Sequence, residues 1–169
     1  MLAVADTSPI NYLLLIQCET VLPVLYARVV IPLAVWHELQ DPDTPALVRA
    51  WVAQPPAWFA IQPLQQALPA TAMPDLGAGE REAIALAQEL SADIVLIDEG
   101  DGRREAHDCG LHVTGTFGVL ERGAIRGLID LPTALARLRA TTFRARNELY
   151  QDVLARDAAR KANPPTDGR

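Results

Sequence analysis

Two short apolar runs, each closed by an acid, constrain this chain more than any other feature. Leu2-Ala3-Val4-Ala5 ends on Asp6, and Ile94-Val95-Leu96-Ile97 ends on Asp98. Apolar runs of this length read as strands buried on both faces, the habit of a parallel sheet. After the first run, Ser8 is a helix cap and Pro9 suits the first helical position, so the chain turns straight back over the sheet. In open parallel sheets, ligands bind outside the carboxyl ends of the strands. Asp6 and Asp98 both stand there. Each also has a plain structural reading: Asp6 assists a helix start, and Asp98 forms a turn ahead of Gly100 and Gly102.

The same alternation runs through the rest of the chain. Residues 28–32 are β-branched and end on proline, and residues 33–40 follow as a short helix. A turn at 41–45 leads into a helix at 46–54, which Pro55-Pro56 stops. Residues 58–62 make a third strand, 63–77 a proline-rich loop and 79–90 a helix. A polar turn at 98–102, a helix at 103–109 and a brief strand at 112–114 come next, then helices at 119–126, 131–139 and 146–161. Strands alternating with helices predict an α/β fold with a mainly parallel central sheet and helices on both faces. The 169 residues suit one domain over 1–155, with 156–169 as a helix end and frayed tail. No apolar run reaches the roughly 18 residues needed to span a bilayer. No basic region opens the chain, so the expectation is a cytoplasmic protein without membrane or secretory segments. Cys18 and Cys109 lack metal-type spacing and are expected as reduced thiols. The net charge of −6 argues against a protein that coats nucleic acid by bulk charge. It leaves a nuclease open, because an acidic metal site is itself negative.

Two further acids join the candidates. At 100° per residue, Glu80 shares a helix face with Ala83, Ile84, Ala87 and Leu90. A carboxylate in line with a buried stripe is costly unless it is neutralised or holds a cation. An anion in the first helical turn is also ordinary, since the helix dipole favours it there. Glu82 points the other way and reads as a solvated charge. Glu38 borders the inward stripe of its helix, beside Val35 and Leu39. Two carboxylates about 5 Å apart repel by ~3 kcal/mol at an effective dielectric of ~20. Four together therefore need protons or divalent cations. Hard oxygen donors with no His or Cys beside them select Mg²⁺ or Mn²⁺. One water on such an ion can attack a phosphodiester.

The ordered set of motifs resembles the PIN-domain nucleases, and within them a prokaryotic VapC-related group of small proteins. The resemblance is carried by Asp6-Thr7-Ser8-Pro9-Ile10, Val35-Trp36-His37-Glu38-Leu39 and the stretch from Gly77 to Ala87. It continues through Val95-Leu96-Ile97-Asp98-Glu99, then Arg103, Ala106, Gly110-Leu111 and Gly115-Thr116-Phe117-Gly118. It implies a three-layer α/β/α sandwich and metal-dependent cleavage of single-stranded RNA. Asp6, Glu38, Glu80 and Asp98 fall on its catalytic, metal-holding quartet, with Glu99 or Asp101 as substitutes or helpers for Asp98. Thr7 or Ser8 falls on the position supporting the first acid, and Thr116 on a hydroxyl near the pocket. Ser8, Arg103 and Thr116 are the expected substrate-binding residues. VapC-type relatives also imply an antitoxin that blocks the pocket, and a homodimer.

Other readings fit less well. His37 has no second His four residues on, as a zinc protease needs. His107 and His112 read as surface or half-buried residues. Arg103 and Arg104 either steer phosphate or solvate a helix. Trp36, Trp51 and Trp58 read as packing, since no aromatic-basic interleaving is visible. Gly77 and Gly79 are not followed by the Lys-Ser or Lys-Thr of a phosphate loop. Asp6-Thr7-Ser8 lacks the paired acids of a phosphoryl-accepting receiver and the Asp-x-Asp of a haloacid dehalogenase. A catalytically silent PIN domain that binds RNA or protein is the main alternative.

Overall fold

The computed structural model describes residues 1–69 and 71–163. Strands and helices alternate as β1 (Leu2–Ala5), α1 (Thr7–Leu15), a 3-10 turn (Glu19–Val21), α2 (Leu22–Leu25), β2 (Arg28–Ile31), α3 (Leu33–Leu39), α4 (Ala46–Ala53) and β3 (Phe59–Ile61). Then come α5 (Ala78–Glu89), β4 (Ile94–Leu96), α6 (Gly100–Asp108), β5 (Val113–Thr114), α7 (Thr116–Ile125), α8 (Leu131–Arg139) and α9 (Asn147–Ala162). Most of the predicted tail, residues 164–169, lies outside the described residues. Among those described, no single helix is long and apolar enough to cross a membrane.

All five strands are parallel, in the order β3-β2-β1-β4-β5. The chain builds outward from β1 to one edge, then returns to build outward on the other side. The order therefore reverses between β1 and β4, and a crevice opens there at the carboxyl ends of the strands. The pairing continues past the strands, with the Asp6 N–H donating to the Leu96 carbonyl at 2.9 Å and the Ile97 N–H to the Thr114 carbonyl at 2.8 Å.

Strand alternation divides the core in two. Ala3, Ala5, Ile31 and Leu96 face a large apolar cluster with residues of α1, α3, α4, α7, α8 and α9. Val4, Val30, Val95 and Ile97 face a second cluster with Ala83, Ile84 and Leu86 of α5 and Ala106 of α6. The three-layer sandwich is thus present. Cys18 and Cys109 are free thiols. Trp36, Trp51 and Trp58 pack against the larger cluster, as expected.

Local boundaries differ from the sequence reading in instructive places. Asp6, not Ser8, occupies the N-cap of α1, so Pro9 sits inside the first turn. The predicted turn at 98–102 is partly helix, because α6 begins at Gly100. Gly102 is tolerated there for a packing reason: a side chain would run into Glu80 Oε1 and Ile97. Similarly, α7 starts at Thr116 rather than three residues later. Glu82 is not a solvated charge. Its Oε2 accepts from the Ala34 N–H at 2.9 Å, so a side chain of α5 satisfies one of the free donors at the start of α3.

Candidate active site

Strand register decides where each acid points. Asp6 follows Ala5 in extended conformation, so alternation puts it on the Val4 side, toward α5. Leu96 is paired with Ala5. Asp98 lies two residues after Leu96 and so falls on the opposite side, toward α7. The two strand-end acids flank one crevice from different layers.

On the α5 side, Asp6 is buried, only 4% exposed. Glu38 reaches it from α3. Its Oε2 accepts from the Thr7 hydroxyl, and its Oε1 accepts from the Gly79 N–H at 3.0 Å. A Cβ placed on Gly79 would stand 2.8 and 2.9 Å from the two Glu38 oxygens and 3.0 Å from Asp6 Oδ1. Three carboxylate oxygens therefore converge on a point that glycine leaves empty. Glu80 is the next residue along α5. Its Oε2 accepts from the Gly77 N–H at 3.1 Å, closing the first turn of the helix, while Oε1 is buried without a hydrogen-bond partner. One oxygen fits the helix-start reading, and the other is the buried carboxylate oxygen that the apolar face implied.

The electrostatics match this crowding. Burial, with Glu80, Glu38 and Asp98 adding repulsion, pushes the Asp6 carboxyl up to about 7, although the Thr7 N–H opposes the shift. Burial also raises Glu80, with Glu99, Asp101 and Glu38 contributing and the Gly77 N–H opposing. Asp98 is raised by burial too, against the pull of Thr116 and Arg103.

Asp98 is held separately. The Thr116 N–H and hydroxyl each donate to it at 2.7 Å. Arg103 donates to the Ile97 carbonyl at 2.9 Å. Gly115 makes room, since a Cβ there would lie 2.5 Å from Asp98 Oδ1. Thr116 is wholly buried, which corrects its expected substrate contact: it orients Asp98 instead. Arg103 is half-buried and committed to the strand end. Ser8 does line a cleft of about 520 Å³ together with Asp98, Tyr12, Thr142, Phe143 and Arg144. Glu99 and Asp101 are exposed, and Asp101 pairs with Arg104. His107 and His112 are exposed.

The expected single cage of four acids is not closed. Among the described residues, no three Asp, Glu, His or Cys side chains stand close enough to share one ion. The reason is local: Glu38, Glu80 and Asp98 each bond to protein donors, and Asp98 points into the other layer. The donor set still suits a hard divalent cation. It is all carboxylate, two of its members meet beside Gly79, and Glu80 keeps one buried oxygen unpartnered.

A family profile described as a PIN domain matches residues 2–158. The chain belongs to the PIN-domain family. The PIN fold is also that of a PilT N-terminus domain protein from the hyperthermophilic archaeon Sulfolobus solfataricus P2. That structure is 16% identical, with a TM-score of 0.50, covering 86% of this chain and 100% of its own. At that identity the likeness shows the fold alone. No curated protein matches the chain. The strand-end acids of this PIN domain lie at the crevice where its strand order reverses, the place where open α/β sheets take ligands.

Sequence reasoning missed the residues that shape the site without carrying charge. Gly79, Gly102 and Gly115 admit the carboxylates; the sequence reading placed Gly79 and Gly115 in the motifs of the resemblance and Gly102 in a turn, and gave none of them this role. Thr116 gives the first measurable expectation. Thr116→Val keeps the backbone donor to Asp98 and removes the hydroxyl. If the PIN domain is active, turnover falls about tenfold to a hundredfold while the melting midpoint moves little, and Thr116→Ser restores it. Equal turnover for Val and Ser variants would show that the Asp98 orientation is immaterial.

Proposed function

We propose that this PIN domain is an endoribonuclease that cuts single-stranded RNA with Mg²⁺ or Mn²⁺ bound. The supporting observation is the meeting of Asp6 and Glu38 oxygens at the gap beside Gly79, with the unpartnered Glu80 Oε1 one residue along. Asp6 and Glu38 would hold the ion beside Gly79, and Glu80 and Asp98 would face it from the same crevice; when bound, the ion supplies charge stabilisation at the phosphoryl oxygens and an acidified water. The chain's own groups prepare that site. The Gly79 N–H and the Thr7 hydroxyl fix the Glu38 rotamer. Thr116 fixes Asp98. Burial keeps Asp6 out of bulk water, so that its charge, once ionised, acts at a lower dielectric. Ser8 and Tyr12 line the approach.

The test pairs two measurements on the full chain. An unstructured RNA is incubated with the protein and Mn²⁺, or with EDTA. Melting is followed with and without Mn²⁺, since a native-state ligand raises the midpoint. Cleavage only with Mn²⁺, together with a raised midpoint, supports the nuclease. The unclosed carboxylate set favours a second reading, a silent PIN domain that binds RNA or protein. Absence of both cleavage and a midpoint rise, with the same RNA still bound, would favour that reading instead. A VapC-like role belongs to the nuclease proposal. It predicts a homodimer in solution and a small DNA-binding antitoxin, encoded beside this chain, that stops cleavage when mixed with it.

A further inference from the structure

We propose that the connection between α8 and α9 is a cationic lip that grips the phosphodiester backbone of single-stranded RNA, with Arg144 and Arg146 as its two contacts. The proposal rests on the nuclease reading and names how a chain of net charge −6 holds a polyanion beside its own acids.

The argument starts from what fixes the connection. The Phe143 N–H donates to the Thr141 hydroxyl at 3.1 Å, and that hydroxyl donates to the Leu138 carbonyl at 2.6 Å. The Phe143 ring packs edge-on against Tyr12, with centroids 4.8 Å apart, and against Phe117 at 5.6 Å. The Tyr12 and Thr142 hydroxyls lie 3.2 Å apart and share a hydrogen bond. Helices α1 and α7 thus anchor the segment from both sides. Its next residues are carried to the crevice. Arg144 lines two clefts that Asp98 also lines, and Arg146 lines one of them.

The other arginines around the crevice are already engaged. Arg103 bonds to the Ile97 carbonyl, Arg104 to Asp101 and Arg156 to Glu121. Arg139 lies over the Tyr150 ring. Arg144 and Arg146 are exposed, and among the described residues neither forms an ion pair. Two arginines without anionic partners among the described residues, set beside a cleft, suit phosphate oxygens, which guanidinium groups bind in a bidentate manner. They also separate binding from chemistry: the arginines attract the strand, while the acids act on it.

The test uses a fluorescein-labelled oligouridylate, with anisotropy read over a range of KCl concentrations in Mg²⁺ buffer. Proteins carry Asp6→Asn so that the probe stays whole. The paired change Arg144→Gln and Arg146→Gln is expected to weaken binding about tenfold near physiological salt. It should also reduce the slope of log K against log salt by about 1.4, the value for two phosphate contacts on a single strand. Arg144→Lys with Arg146→Lys restores most of the slope. An unchanged melting midpoint confirms that the fold survives. RNA affinity and slope equal to those of the parent overturn the proposal, as does a parent that binds no RNA. Loss of binding to polyglutamate with RNA binding intact also overturns it, and would give the lip to an acidic protein partner. Cleavage by the chain with Asp6 intact is scored separately, so a failed lip and a failed nuclease give different results.

Discussion

Asp6→Asn is expected to abolish RNA cleavage and, without divalent ions, to make the protein more stable. The two effects have one cause. Asp6 is 4% exposed, and burial with three neighbouring carboxylates raises it from 3.8 to about 7. The sign follows from proton linkage. Between those values the folded chain holds a proton that the unfolded chain has released, so stability falls as pH rises from about 4 to about 7. Above the folded value both states are ionised and the loss stays constant. A difference of about three pKa units corresponds to a loss of roughly 4 kcal/mol. Asparagine has the same shape and no charge to desolvate. Part of the gain goes to burying its amide, which costs roughly 1–3 kcal/mol where hydrogen bonds are missing. In EDTA at pH 8 the variant should melt several degrees higher, at about 2–4 °C per kcal/mol. Its descent between pH 4 and 7 should flatten, with a residual slope from Glu80 and Asp98, whose carboxyls are raised as well. Mn²⁺ should raise the parent's midpoint more than the variant's. Turnover should fall more than about a hundredfold, since even outer partners of metal ligands cost tenfold to a hundredfold. A variant that melts lower in EDTA would refute the buried-charge argument. One that cuts RNA like its parent would remove Asp6 from the chemistry.

The sheet was legible in the sequence because its signals are local. Ile94-Val95-Leu96-Ile97 and Val29-Val30-Ile31 are strands in any reading, and an acid directly after a strand must lie at its carboxyl end. The strand order follows less directly, yet it is what places Asp6 and Asp98 on one crevice. The face of each acid was not legible. It depends on Leu96 pairing with Ala5, which sends Asp98 toward Thr116 and leaves Asp6 to Glu38. Periodicity found the inward side of Glu80 but said nothing about its two oxygens, one closing a helix turn and one left bare. Glu82 was misread for the same reason. A helical wheel knows only its own helix, and the donor at Ala34 belongs to another. The sequence reading found no interleaved aromatic and basic residues. What it could not show is the anchoring of Phe143, which packs against Phe117 and against Tyr12 from the other end of the chain.

Gly79→Ala is the sharpest probe of the gap between Asp6 and Glu38. On helical propensity alone the change should stabilise α5 by about 1 kcal/mol, because glycine is a poor helix former. The space argues the other way. The new methyl would stand 2.8 and 2.9 Å from the Glu38 oxygens and 3.0 Å from Asp6 Oδ1, all closer than a carbon normally approaches oxygen. Asp6 is held in the strand-end backbone and has little room to retreat. Glu38 is longer and half-buried, so it is the group that swings away, breaking its bonds to the Gly79 N–H and the Thr7 hydroxyl. Overpacking of this kind costs about 1–3 kcal/mol, and the propensity gain offsets part of it. The net change in metal-free stability should therefore be small, within about 2 kcal/mol by chemical denaturation. The functional change should be large. With the methyl occupying the point where the carboxylates meet, the Mn²⁺-induced rise in melting midpoint should disappear, and RNA cleavage with it. Gly127→Ala serves as the control. Gly127 has a φ of +69° and nothing within 4 Å of its would-be Cβ, so alanine there strains the backbone without touching the acids. It should lower the midpoint and leave the Mn²⁺ response intact. A Gly79→Ala protein that still responds to Mn²⁺ as the parent does would show that no ion sits between Asp6 and Glu38.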